Sequence, residues 1–105
     1  LDPAVGSEAS KTRPAVIVSN NAANAAAMRS PRVTVTVVPV TTNTARVLPF
    51  HVLLPADATG LDHDSKAQAE QVRTIAVARI VRPIGWAPPT LVAAIDDALR
   101  LHLSL

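Results

Sequence analysis

A chain of 105 residues, 49% hydrophobic and 17% charged, has material for one hydrophobic core and little for a second, so a single domain covering residues 1–105 is expected. It contains no cysteine, which excludes disulfides, thiolate nucleophiles and thiolate metal sites. The formal net charge is +2, unevenly spread: residues 1–55 hold five basic and two acidic groups (+3), residues 56–105 five and six (−1), a balance that permits polyanion binding without demanding it.

The three histidines, His51, His63 and His102, lack metal-ligand spacing, and three scattered glycines cannot form a phosphate-cradling loop. Neither a metal nor a nucleotide cofactor is expected. No apolar run reaches bilayer length, and Leu1-Asp2-Pro3 has neither the basic start nor the apolar stretch of an export signal, so the expectation is a soluble, cytoplasmic protein.

Residues 2–13 mix turn formers with charge and show no apolar period, which predicts a mobile loop ended by Pro14. Ala15-Val16-Ile17-Val18 predicts a short strand buried on both faces, and the alanine-rich residues 22–28 a brief turn or helix. Val33-Thr34-Val35-Thr36-Val37 alternates strictly and continues to Val40 before the polar stop at Thr41-Thr42-Asn43-Thr44. It is the clearest strand of the chain, with Pro39 suggesting an edge or a bulge. A loop carrying Arg46 leads into a strand over residues 47–54 and a turn over residues 55–60. Residues 65–74 stay undecided, because Lys66-Ala67-Gln68-Ala69-Glu70-Gln71 favours helix while its neighbours favour strand. Pro88-Pro89-Thr90 opens a helix to residue 103: Thr90 is placed to cap it, Leu91, Ile95 and Leu99 share one face, and Asp96 is spaced to pair with Arg100. Short strands with one terminal helix predict an α+β domain on a small, strongly bent sheet or barrel.

Four blocks in order resemble the MazF/PemK family of endoribonuclease toxins of type II toxin–antitoxin systems. Gly6-Ser7-Glu8 followed by Thr12-Arg13-Pro14-Ala15-Val16-Ile17-Val18-Ser19 resembles the family's first long loop running into its second strand. Val38-Pro39-Val40-Thr41-Thr42 resembles its third strand, and Leu48-Pro49-Phe50-His51-Val52-Leu53-Leu54 the strand after it. Asp64-Ser65 with Glu70-Gln71-Val72-Arg73-Thr74-Ile75 resembles the segment lining the family's RNA groove. The resemblance implies a small SH3-like β-barrel of the CcdB/PemK type with a C-terminal helix, a homodimer, and neutralisation by a cognate MazE-like antitoxin. Family members usually begin with a strand of the Arg-Gly-Glu-Ile-Trp kind before Leu-Asp-Pro, so by this comparison the first strand is missing from the chain.

The reaction the resemblance implies is metal-independent, sequence-specific cleavage of single-stranded RNA. A ribose 2′-hydroxyl attacks the adjacent phosphate and leaves a 2′,3′-cyclic phosphate and a 5′-hydroxyl. Such chemistry needs in-line geometry, charge stabilisation at phosphorus and proton transfer at both ends. Arg13 matches the family's catalytic arginine; its forked guanidinium holds two phosphate oxygens and stays charged at physiological pH. Thr41 matches the second catalytic position, and Ser7, Glu8, Lys11, Thr42, Asn43, Gln71 and Arg73 match positions that bind phosphates or read base edges.

Each residue also has a plainer reading. An arginine before a proline is ordinarily solvated, Thr41-Thr42 alone is an ordinary strand end, and Glu70 and Arg73 are spaced for a structural ion pair. His63-Asp64-Ser65 holds the residue types of a hydrolytic triad, but adjacent residues cannot adopt its geometry. His51 reads as an outward strand residue, and the spare apolar surface of the terminal helix as a dimer contact. Two other functions stand beside RNA cleavage: a CcdB-like gyrase-poisoning toxin without nuclease activity, against which Arg13 and Thr41 argue, and an inactive RNA-binding module.

Overall fold

The computed structural model describes residues 4–8, 13–19 and 33–105, the first of these as backbone only. The alanine-rich residues 22–28 and Lys11 lie outside the described residues, as do the side chains of Ser7 and Glu8. In chain order the elements are β1 (Ala4–Glu8), β2 (Pro14–Ile17), β3 (Thr34–Thr41), β4 (His51–Leu54), the short helix α1 (Ala56–Thr59), β5 (Ser65–Gln68), a 3₁₀ turn (Ala69–Gln71), β6 (Arg73–Ala76), a second 3₁₀ turn (Val77–Arg79), β7 (Ile80–Trp86) and α2 (Pro89–Leu103). The fold is α+β, as expected. An antiparallel sheet of order β4-β5-β3-β2-β1-β7, with β6 paired to β3 off this path, carries the C-terminal helix.

The alternating segment is the centre of this sheet. β3 pairs with β2 along one flank, and along the other with β6 through Val37 and with β5 from Val40. Pro39, expected at an edge or a bulge, therefore sits in a central strand, at the gap where β3 changes partner. The Val18 N–H donates to the Thr36 carbonyl (2.9 Å), and antiparallel alternation from that bond turns the nitrogen of residue 39 toward the interrupted flank. The missing N–H thus breaks no bond to β2.

Both faces of β2 and β3 are covered. Val16, Val38 and Val40 point into the larger core with Val52, Leu54 and Ala67, under Ile95 and Ala98 of α2. Ala15, Ile17, Val35 and Val37 point the other way and pack with Ile75 and Val77. Successive side chains leave a strand on opposite faces, so the alternating valines 35 and 37 supply one set and Val38 and Val40, after the alternation breaks, the other.

Several local expectations are corrected. Residues 4–8 form a strand rather than a loop, because β2 and β7 offer backbone partners on both flanks. The strand expected over residues 47–54 begins only at His51; Leu48, Pro49 and Phe50 form a turn closed by the His51 N–H on the Leu48 carbonyl (2.9 Å). Residues 55–60 include one helical turn, ended by Gly60 at φ 84°. The undecided stretch resolves into strand, 3₁₀ turn and strand. At α2, Pro88 rather than Thr90 is the N-cap: its carbonyl accepts from Leu91 and Val92, and Pro89 fills the first helical position, where a missing N–H is harmless. Arg100 meets Asp97 (3.4 Å), not Asp96. Leu91, Ile95 and Leu99 share the core-facing side as expected. Beneath α1, a Cβ at Gly85 would lie 2.1 Å from the Thr59 carbonyl oxygen, so only glycine lets β7 approach this turn so closely.

Candidate active site

The inward alternation of β2 and β3 loses its hydrophobic partners toward one end, and polar side chains take over. The pairing of Ala15 with Pro39, Val16 with Val38 and Ile17 with Val37, carried two residues outward, sets Arg13 opposite Thr41. The odd-numbered face, which buries Val35 and Val37 further along, therefore continues at this end as Pro39, Thr41 and Arg13. An open cleft of about 540 Å³ lies here, away from α2.

Arg13, Thr41 and Thr42 line that cleft together with Gln71 and Arg73. Five of the nine residues singled out from the sequence thus converge on one surface. Ser7 is paired through the backbone with Pro14, beside Arg13, and Glu8 with Ile80, which brings both chain positions near the same end of the sheet. Asn43 does not line the cleft. Its side-chain oxygen accepts from the Ala45 N–H (3.3 Å) and its own N–H donates to Thr41 Oγ1 (3.2 Å), so it shapes the turn after β3.

That second bond decides what the Thr41 hydroxyl can do. Accepting from Asn43 leaves its O–H available as a donor, and Thr41 lines the cleft. Arg13 is exposed and lines the cleft, and it makes no ion pair or hydrogen bond among the described residues. Among the described residues, two guanidinium groups, Arg13 and Arg73, and no carboxylate line this surface. It suits an anion with several acceptor oxygens.

Four contacts that the sequence did not disclose hold the cleft in shape. Lys66, buried and paired with Thr41 across the sheet, donates its Nζ to the carbonyl of Arg46 and so ties the loop after Thr41 to β5. His51, expected to point outward, has a side chain only 5% exposed. Its Nδ1 accepts from the Leu48 N–H (3.0 Å) and its Nε2 lies 3.1 Å from Glu70 Oε2. Accepting at Nδ1 requires the proton at Nε2, so His51 donates to Glu70. Together with the Ala69 N–H on the Phe50 carbonyl (3.2 Å), this fixes the 3₁₀ turn that presents Gln71. Glu70 is therefore a partner of His51, and its Oε1 is buried without a hydrogen bond among the described residues. Gln68, opposite Pro39 by the β3–β5 register, also lines the cleft; its place in the undecided segment hid it. His63, Asp64 and Ser65 form no triad: Ser65 donates to the His63 carbonyl (2.8 Å) and Asp64 accepts from the Ala56 N–H (2.8 Å).

Comparison with known proteins gives the family. The endoribonuclease MazF9 of Mycobacterium tuberculosis is 59% identical over 105 residues, covering 100% of this chain and 89% of that protein. Endoribonuclease EndoA of Bacillus subtilis is 32% identical over 105 residues, covering 100% and 87%. Among solved structures, the M. tuberculosis toxin MazF-mt6 superposes with a TM-score of 0.78 at 25% identity, covering 100% of this chain and 98% of that one. An endoribonuclease in complex with its cognate antitoxin, from Mycobacterial species, shares the fold with a TM-score of 0.70 at 24% identity, covering 99% and 92%. The family model of the PemK-like, MazF-like toxins of type II toxin–antitoxin systems matches residues 1–103, and the chain belongs to that family.

Proposed function

We propose that this protein is an endoribonuclease toxin that cleaves single-stranded RNA by internal attack of a ribose 2′-hydroxyl, giving 2′,3′-cyclic phosphate and 5′-hydroxyl ends. The observation that carries the reading is the convergence of an exposed guanidinium, Arg13, and a hydroxyl with its proton available, Thr41, on one cleft. As the linkage breaks, negative charge gathers on the nonbridging oxygens and on the departing 5′-oxygen. Arg13 is placed to hold two of these oxygens, and its permanent charge makes it an electrostatic stabiliser and hydrogen-bond donor rather than a base. Thr41 donates to a nonbridging oxygen. Arg73, Gln71 and Thr42 position the strand through phosphates and base edges, with Ser7, Glu8 and Lys11 contributing from the segment before Arg13 and Asn43 acting through the turn it holds.

Curated relatives named as endoribonucleases support the reaction class, and the solved toxin–antitoxin complex supports control by a cognate MazE-like antitoxin. Among the described residues no helix is long and apolar enough to cross a membrane. We place the protein in the cytoplasm, where its RNA substrate lies, and assign it a homodimer on the exposed apolar side chains Leu101, Leu103 and Leu105 at the end of the chain.

The test is incubation of a mixed single-stranded RNA with the protein in EDTA, with mapping of the new ends. Cutting that leaves cyclic phosphates, and stops with Arg13→Ala or with a 2′-deoxy residue at the cut, is the expected result. Cutting of the deoxy substrate overturns the mechanism, and an intact RNA overturns the function.

A further inference from the structure

A second cleft, of about 360 Å³, adjoins the first and shares Pro14 and Thr42 with it. Its far side comes from two segments that the site described above does not use, the loop after α1 and the middle of β7. Leu61, buried, and Ile84, half-buried, give it apolar walls, while Asp62 and Arg82, both exposed, stand at its rim. The shape is preformed. The Thr59 hydroxyl donates to the Pro55 carbonyl (2.8 Å), the Asp64 carboxylate accepts from the Ala56 N–H (2.8 Å), and the tight approach at Gly85 fixes the loop against β7.

Arg82 is the informative residue. It makes no ion pair or hydrogen bond among the described residues, although Asp62 lines the same cleft. An arginine fork takes a carboxylate or a phosphate in the same two-pronged way; among the described residues none fills that place for Arg82, which lines the mouth of a cavity that adjoins the cleft of Arg13. Apolar walls beside an exposed guanidinium fit a flat base with a phosphate attached. The volume lies near the lower end of ligand cavities, room for one nucleotide rather than a folded segment.

Building on the RNA-cleaving reading, we propose that this second cleft binds the nucleotide next to the scissile linkage, with Arg82 on its phosphate and Leu61 and Ile84 against its base. The strand then runs from the Arg13 cleft over Pro14 and Thr42 into the second cleft. Arg82 adds binding that depends on substrate length, without touching the reacting atoms.

The experiment uses RNA oligonucleotides nested around the mapped cut and trimmed from each end in turn. With the native protein, removal of the nucleotide that reaches the second cleft is expected to lower kcat/KM about tenfold to a hundredfold, the value of a charge-assisted hydrogen bond. Arg82→Ala should lower cleavage of the untrimmed substrate by the same factor and leave the trimmed one unchanged. Binding of the untrimmed RNA should also lose about 0.7 from its log–log salt slope, one phosphate contact on a single strand. Arg82→Gln, which keeps the bulk without the charge, should behave as the alanine variant does. The proposal is overturned if either variant affects trimmed and untrimmed substrates equally or affects neither. If the native protein cuts no RNA at all, it is the cleavage reading that fails.

Discussion

The two faces of the β2–β3 pair obey one alternation and end in different roles. The face of Val16, Val38 and Val40 stays apolar toward the Arg13 end of the pair and lies under α2. The face of Ala15, Ile17, Val35 and Val37 is equally buried in its middle but gives way to Arg13, Pro39 and Thr41. A periodic hydrophobic pattern therefore marks the core on both faces, and the site lies where the pattern stops on one of them. The expectation is a separation: substitutions under the helix cost stability and spare the chemistry of the folded fraction, whereas those in the cleft do the reverse.

The largest effect is expected at Arg13. Arg13→Ala removes the charge that faces the phosphate and should lower kcat/KM about a thousandfold or more, with a melting temperature equal to that of the native protein; thermal unfolding beside a cleavage assay checks both. On the opposite face, Ile95→Ala leaves a cavity among buried neighbours and should cost about 3 kcal/mol by denaturant titration, with turnover per folded molecule retained. Thr41→Val keeps the shape but removes the donor, for about a hundredfold in kcat; a drop in stability of the same size would instead make the hydroxyl structural. His51→Leu tests the supports rather than the walls. It strands the second oxygen of Glu70 and the Leu48 N–H, which should cost about 2 kcal/mol, with His51→Gln recovering part of it. The smallest effect belongs to Asp97→Ala, since the Asp97–Arg100 pair is exposed on both sides (80% and 63%) and should contribute under about 0.5 kcal/mol.

This contrast also explains what could be read before the fold was known. β3 and the core face of α2 were legible because their partners are implied by their own spacing: alternating valines for the strand, Leu91, Ile95 and Leu99 for the helix. The cleft was legible only through the order of the sequence blocks, since an arginine before a proline says nothing alone. β1 was not legible, because Ala4–Glu8 has no apolar period and is a strand only through pairing with β2 and β7. For the same reason residues 65–74 could not be settled locally, and with them went Gln68 and Lys66. The burial of His51 depends on Glu70, nineteen residues away, a contact no local pattern announces.

Pro39 at the floor of the cleft has a consequence for what can settle there. A visiting polypeptide that tried to extend the sheet along this stretch would find the run of amide donors broken at the one position where the strand switches neighbours. Affinity at the floor must come from arginine, threonine and glutamine side chains instead. A guest rich in its own acceptor oxygens loses nothing by that arrangement, whereas a plain peptide backbone forfeits the interaction it relies on most.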